Sequence, residues 1–420
     1  MSDFSRDAVR SALEDLTAWV DRNGPAGFDP YDVLGKARFY RLTHDDRGRM
    51  RRTATARALM SARHRWPVPT RRVFGVRPAV NAKGVGLMLS ARLRMERLGM
   101  PGSLETAREL AAWLALNPSR AGFPGASWGY PFHWHTRIFV PADTPSAVVT
   151  ATCGQGLLDF AERTDDERAV QTARGAAVFL AEGLNRTELG DGRVCLSYTP
   201  LDDFQVHNAN LMAAEYLLRA GRFFGEPTWQ ELATACMRFT VSFQAQDGSF
   251  EYWAPDQQAA SQIDNYHTGF VLRSLFAFAE ANRSQAAGAL DSGWAFYARE
   301  FLSSGGKPRN DVGRDDRLDI HSCAESVLCP AVLSIRYPDA FALSRAAADW
   351  TVANMRNPDG SFVHGVWGER TRTMPYLRWG QAWMMRALSE LLVREESAES
   401  AATSNAPPDR EIVQPSAEEG

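Results

Sequence analysis

Four aspartates recur at similar places in successive stretches of the chain: Asp143, Asp203, Asp264 and Asp319. Three of them are followed within four residues by a histidine, His207 after Asp203, His267 after Asp264 and His321 after Asp319. Carboxylates and imidazoles are the side chains that most readily move protons near neutral pH. Their neighbours are unusually polar and aromatic. Tyr266 adjoins His267, and Asn208, Gln262 and Asn265 offer amides to hydroxyl groups. The run YLRWGQAW adds Arg378, Trp379 and Gln381, and loop segments add Trp128, Tyr130, Tyr252 and Trp253. Flat aromatic faces stack on the C–H surfaces of sugars, and amides, imidazoles and carboxylates bond their hydroxyls. A carbohydrate is the ligand this set suits. Cleaving a glycosidic bond would use two carboxyl groups, drawn from Asp203, Asp264 and Asp319. Elimination or epimerisation at C5 of a uronate would instead use His or Tyr as base and acid, with Arg378 clamping the carboxylate. The residues supply both sets. The plainer expectation for each aspartate is helix N-capping, the role Asp fills best at such positions.

The elements that must hold these residues repeat. Segment 263–280 is apolar on nearly all sides after its first turn, as a helix buried on both flanks would be. Segment 227–244 before it starts with Pro and carries a one-sided apolar stripe, the pattern of an outer helix. The same pairing of outer with inner helix recurs at 104–116 with 145–161, 166–183 with 205–220, 287–302 with 319–335 and 339–355 with 377–393. A further pair joins 51–64 to 79–96, which makes six. Outer-to-inner connections are long and aromatic and inner-to-outer ones short, so the expectation is an all-α, closed (α/α)6 toroid of six hairpins with its long rim loops on one face. The inner-helix N-termini then point into the bowl, where their free N–H groups favour anionic or hydroxylated ligands. Asp247-Gly248-Ser249-Phe250 and Asp359-Gly360-Ser361-Phe362 read as matching stops after two outer helices. The expected organisation is an N-terminal helix and loop over 1–50, the toroid over 51–395 and a disordered polar tail over 396–420.

The 420 residues carry a net charge of −3, which excludes an overall nucleic-acid footprint. No secretory leader and no membrane span are read from the pattern. The five cysteines, Cys153, Cys195, Cys236, Cys323 and Cys329, are odd in number and form no CxxC pair. Buried spectator thiols in a reduced cytoplasmic setting fit, and neither a metal site nor a cofactor is called for. The HWH run at 133–135 is expected to pack rather than to ligate. The basic stretch 47–66 reads as the solvated face of the first outer helix.

The hairpin count, the DGSF turns and the inner helix DNYHTGFVL resemble the six-hairpin glycosidase superfamily. The segment GFDPYDVLG at 27–35 is similar to a Gly-x-Asp-Pro-Tyr-Asp signature near the N-termini of proteins associated with exopolysaccharide biosynthesis. The resemblance covers roughly 20–395. It implies a carbohydrate-active role in surface-polysaccharide metabolism, as hydrolase, lyase or epimerase, with other polysaccharide-synthesis proteins as candidate partners. In the wider superfamily a cavity aspartate often acts as general acid or base, and Asp203, Asp264 and Asp319 are the matching positions. A non-catalytic glycan-binding subunit is the second expectation. A terpene-type toroid enzyme is the third, because DDRLD at 315–319 spells a magnesium-diphosphate motif, although it precedes a helix instead of lying within one.

Overall fold

The structure is a computed structural model that describes residues 3–257, 262–281 and 284–404. Its helices in chain order are α1 (Asp3–Asn23), α2 (Ala37–Thr43), α3 (Ala54–Arg65), α4 (Pro67–Val73), α5 (Ala82–Arg97), α6 (Ser103–Leu116), α7 (Ala147–Thr164) and α8 (Glu167–Val178). They continue with α9 (His207–Phe223), α10 (Pro227–Val241), α11 (Asn265–Glu280), α12 (Ser284–Phe301), α13 (Ile320–Leu333), α14 (Pro338–Asn354) and α15 (Ala382–Ser404). The inner ring is α5, α7, α9, α11, α13 and α15. Each packs on the next, and α15 packs on α5, which closes the ring. The expected toroid is therefore the observed fold.

Small residues set the spacing of the ring. Gly154 lies against the ring of Tyr216, and Gly86 lies against the backbone of Cys153, so a Cβ at either would collide with the neighbouring inner helix. The ring axis is not an open pore. Phe270 and Trp383 stack across it at 5.1 Å. Beyond this plate the lumen is lined by ion pairs, among them Arg273–Glu325 and Arg219–Asp159 at 2.7 Å and Arg94–Glu390 at 2.5 Å. Such charges persist in a buried place because each has a partner.

One hairpin is built differently from the sequence expectation. The outer helix of the first pair is α1, which packs on α14 and α15. Its apolar stripe, Val9, Leu13, Leu16 and Val20, is buried. The segment expected to be that outer helix, 51–64, forms α3 instead and packs on α2 and α4. Only Ala56 of α3 is fully buried, too little apolar surface to seal a ring wall. The toroid therefore begins with α1 and not at residue 51, and α2–α4 form a cap inserted between the two helices of the first hairpin. At the other end α15 runs to Ser404 and is tied to α1 by an Arg6–Glu399 pair at 2.5 Å, so 396–404 is helical and not the expected disordered start of the tail. Residues 405–420 lie outside the described residues.

The two DGSF turns are the same device. Asp247 accepts from the N–H and hydroxyl of Ser249 at 3.0 and 2.7 Å, and Asp359 from those of Ser361 at 3.1 and 2.6 Å. Gly248 and Gly360 take positive φ of 91° and 93°, a conformation in which a side chain is strained. Phe250 and Phe362 then turn inward and are buried. The turns are punctuation that aims a phenylalanine into the wall.

Candidate active site

The long loops gather at the end of the ring where the inner helices begin, and they enclose a cavity of about 320 Å³. Two first turns make its most chemical wall. Asp264 caps α11, its Oδ1 accepting from the His267 N–H at 3.0 Å, while its Oδ2 lies 2.7 Å from His267 Nδ1. Burial alone would raise this carboxyl, but the charge and hydrogen bonds of His267 outweigh it and hold Asp264 below the usual carboxylate range. The contact places the Nδ1 proton toward Asp264 and leaves Nε2 as the ring nitrogen that Asp264 does not engage. Asp319 caps α13 in the same manner, accepting from the His321 N–H at 2.9 Å and from the Trp379 indole at 2.7 Å. Burial pushes its carboxyl up to about 6.

His321 forms the floor. Tyr266 stacks on it at 4.5 Å, and Trp379 meets it edge-on at 4.6 Å. Neither of its ring nitrogens has a hydrogen-bond partner among the described residues. Burial, helped by the nearby cations of Lys83 and Arg378, drives its imidazole well below the ordinary range, so it stays neutral. Burial also lifts the Tyr266 phenol well above its usual value and keeps it a proton donor.

The placement of each expected site residue divides the set. Tyr130, Asn208, Tyr252, Trp253, Gln262, Tyr266, His267, His321, Arg378 and Trp379 line the cavity. Asp264 and Asp319 stand behind it, holding His267 and Trp379. The remaining five do not enter it. His207 points outward against Phe239 of α10 and Phe243 just after it, with centroids 6.0 and 5.6 Å away. Asp203 is exposed before α9, whose cap position is Val206, and the loop is instead organised by Asp202. Asp143 likewise lies outside the cap of α7, which is Ser146. The four aspartates are thus not equivalent, because Asp143 and Asp203 each lie three residues before the residue that caps their helix. Trp128 is core, its indole donating to the Leu114 carbonyl at 3.2 Å. Asn265 bonds Arg309, Ser326 and Tyr297, and Gln381 bonds the backbone of Phe362, so both are spent on structure.

Arg378 is not the free clamp expected of it. Asp29 takes its Nε at 2.7 Å and its NH2 at 2.6 Å. That aspartate opens the Asp-Pro-Tyr-Asp motif, whose second acid, Asp32, pairs with Arg71 at 2.9 Å. Between them Tyr31 projects into the cavity and meets Trp379 edge-on at 5.4 Å. Gly35 ends the motif where a Cβ would lie 1.9 Å from the His133 carbonyl oxygen, so only glycine lets this loop seat on the rim. The His133–His135 run is a packing element as expected: Trp134–His135 pairs with Phe139–Val140, and His135 stacks on Tyr40 at 3.5 Å.

Lys83, Tyr31 and Tyr198 also line the cavity and were not singled out from the sequence, and His135 of the HWH run lines it too. Lys83 carried a signal, being one of three lysines in the chain and lying in the first turn of an inner helix. Its ammonium rests over Phe270 and Trp383 at 5.5 and 5.4 Å, while Arg273 approaches the same two rings at 5.4 and 5.9 Å. No carboxylate pairs with it among the described residues. Burial pulls it down to about 7, assisted by Arg378 and Arg273. DDRLD does not gather its acids: Asp315 and Asp316 are exposed and paired with Arg309 and Arg314, while Asp319 is buried.

No family model and no curated protein matches the sequence. Solved structures do match the fold. An unsaturated glucuronyl hydrolase specific for heparin superposes with a TM-score of 0.61 at 12% identity, over 95% of this chain and 99% of that one. A D-mannose isomerase superposes with a TM-score of 0.60 at 9% identity, over 94% and 100%. The cellobiose 2-epimerase of Bacillus thermoamylovorans B4167 gives 0.55 at 10% identity, over 75% and 88%. At such identities the likeness is one of fold, and the chain shares an (α/α)6 toroid with these structures.

Proposed function

We propose that this protein is an enzyme that moves a proton at a sugar carbon, by epimerisation or elimination, within surface-polysaccharide metabolism. One observation carries the reading. Among the described residues the cavity wall holds imidazoles, phenols and one ammonium, and no Asp or Glu. Hydrolysis by the usual route needs two carboxyl groups flanking the bond. Here both nearby carboxylates are occupied behind the wall, Asp264 by His267 and Asp319 by Trp379. Carbon-acid chemistry needs what the wall offers. His267 Nε2 takes the proton from carbon, and its imidazolium is stabilised by Asp264. The electron pair left behind moves onto the adjoining carbonyl or carboxyl oxygen, where Lys83 meets the new charge. A Tyr266 proton delivered to the opposite face gives the epimer; delivered to a leaving oxygen, it gives the unsaturated sugar. The aromatic wall of Tyr31, Tyr130, Trp253 and Trp379 holds the ring. The neighbours include a named epimerase and a named isomerase, which fits this reading.

The test is turnover of neutral and uronate oligosaccharides in D2O. Deuterium at a sugar carbon after epimerisation, or a carbon–carbon double bond in the sugar after elimination, either one lost in His267→Ala, is the expected result. New reducing ends with neither deuterium nor a carbon–carbon double bond would make the protein a hydrolase. Binding without either product would make it a recognition subunit.

A further inference from the structure

The cap is the most strongly charged part of the molecule. Residues 36–77 hold thirteen Lys and Arg against two Asp, a formal +11 in a chain whose net charge is −3. Ten of these arginines are exposed: Arg38, Arg41, Arg47, Arg49, Arg51, Arg52, Arg57, Arg65, Arg72 and Arg77. Among the described residues none of the ten forms an ion pair with a carboxylate, although exposed arginines elsewhere do, as Arg163 with Glu96 and Arg336 with Asp291. The nearest acid, Asp45, accepts instead from the backbone N–H groups of Arg47 and Arg49. Holding so many like charges together is unfavourable unless something neutralises them.

The cap is also joined to the cavity. Tyr31 and Leu34, just before α2, line it, and Tyr40 of α2 stacks on the lining residue His135. On the other side His64 of α3 meets Arg372 of the rim at 2.9 Å. The helices that carry these arginines therefore adjoin the mouth, and at the floor beneath it lies Lys83, unpaired with any carboxylate among the described residues. We infer that the cap docks a polyanionic glycan, a chain bearing a carboxylate or sulfate on most units, and leads it into the cavity. This rests on the carbohydrate reading above and narrows its substrate to an acidic polymer. Exposed Met50, Trp66 and Val73 on the same cap make an anionic lipid surface the rival partner.

The experiment compares the full chain with Arg49→Glu/Arg52→Glu/Arg57→Glu/Arg72→Glu. All four sites are exposed and unpaired, so the fold is kept, which circular dichroism checks. Probes are polyglucuronate, neutral dextran of equal length, double-stranded DNA, and vesicles of phosphatidylcholine with a third phosphatidylserine. The expected result is polyglucuronate binding that weakens as salt rises and falls at least tenfold in the variant, with no dextran binding. Any acidic disaccharide that is turned over should show the same kcat/KM in both proteins, while KM for the polymer rises. Polyglucuronate binding equal in both proteins would overturn the inference, as would stronger binding to DNA or to vesicles. Binding is read without turnover. Loss of polymer binding in the variant with no turnover would sink only the proton-transfer reading. Turnover of neutral sugars with no polymer binding would sink only this one.

Discussion

Replacing Asp264 by Asn separates the two things this carboxylate does. Oδ1 caps α11 through the His267 N–H at 3.0 Å, and Asn caps a helix about as well as Asp, so that bond survives. Oδ2 accepts from His267 Nδ1 at 2.7 Å. The Asn amide turned to the same place donates, and its only matching partner is an unprotonated Nδ1. The imidazole must then carry its proton on Nε2, the nitrogen that faces the cavity. Stability should change little: a charge-assisted bond gives way to a neutral one, about 1 kcal/mol. In a chain of this size that is a fall in Tm of about 1–2 °C. Turnover should fall by about 10²–10⁴, the usual worth of a positioned base, or about 3–5 kcal/mol in the barrier. The decisive readout needs no substrate. The chain has eight histidines, and long-range 1H–15N correlation reports which ring nitrogen of each carries the proton. His267 should be protonated on Nδ1 in the wild type and on Nε2 in Asp264→Asn. An unchanged tautomer, or a variant whose turnover stays within twofold, would refute the assignment of His267 as base.

Three other outcomes follow from the same geometry. Asp319 rises from its ordinary 3.8 to about 6 in the folded chain, so the folded state holds the proton more tightly and stability falls as pH climbs through that window. Asp319→Asn keeps both acceptor bonds and should be more stable than wild type at pH 8, by at most about 3 kcal/mol, with the gain gone at pH 4, as urea unfolding would read. Lys83, lowered to about 7, should impose an alkaline fall on kcat/KM, because only its ammonium meets the developing charge. Lys83→Arg should move that fall to higher pH, and Lys83→Met should abolish turnover. His207→Phe should leave kcat/KM within about twofold, since the ring is packed against Phe239 and Phe243 and its Nδ1 has no partner.

The sequence by itself determined the ring. Helical periodicity told buried inner helices from one-sided outer ones, because burial on two flanks or on one writes itself directly into the order of apolar residues. It also placed the first turns of α11 and α13 at the mouth, and with them His267, Tyr266 and His321. It misjudged α3, because a short basic helix with a few apolar residues has the outer-helix pattern, and only packing shows that its apolar face is too small to close a wall. It treated four aspartates as equivalent, while loop length decided that Asp264 and Asp319 reach a helix start and Asp203 does not. It gave Arg378 a ligand that Asp29, 349 residues away, already supplies. Partners so distant in sequence leave no local pattern. For the same reason Lys83 looked like one polar residue in an apolar helix. Its meaning came only from the closed ring, which sets it on two aromatic faces, away from any carboxylate, and opens it to the cavity.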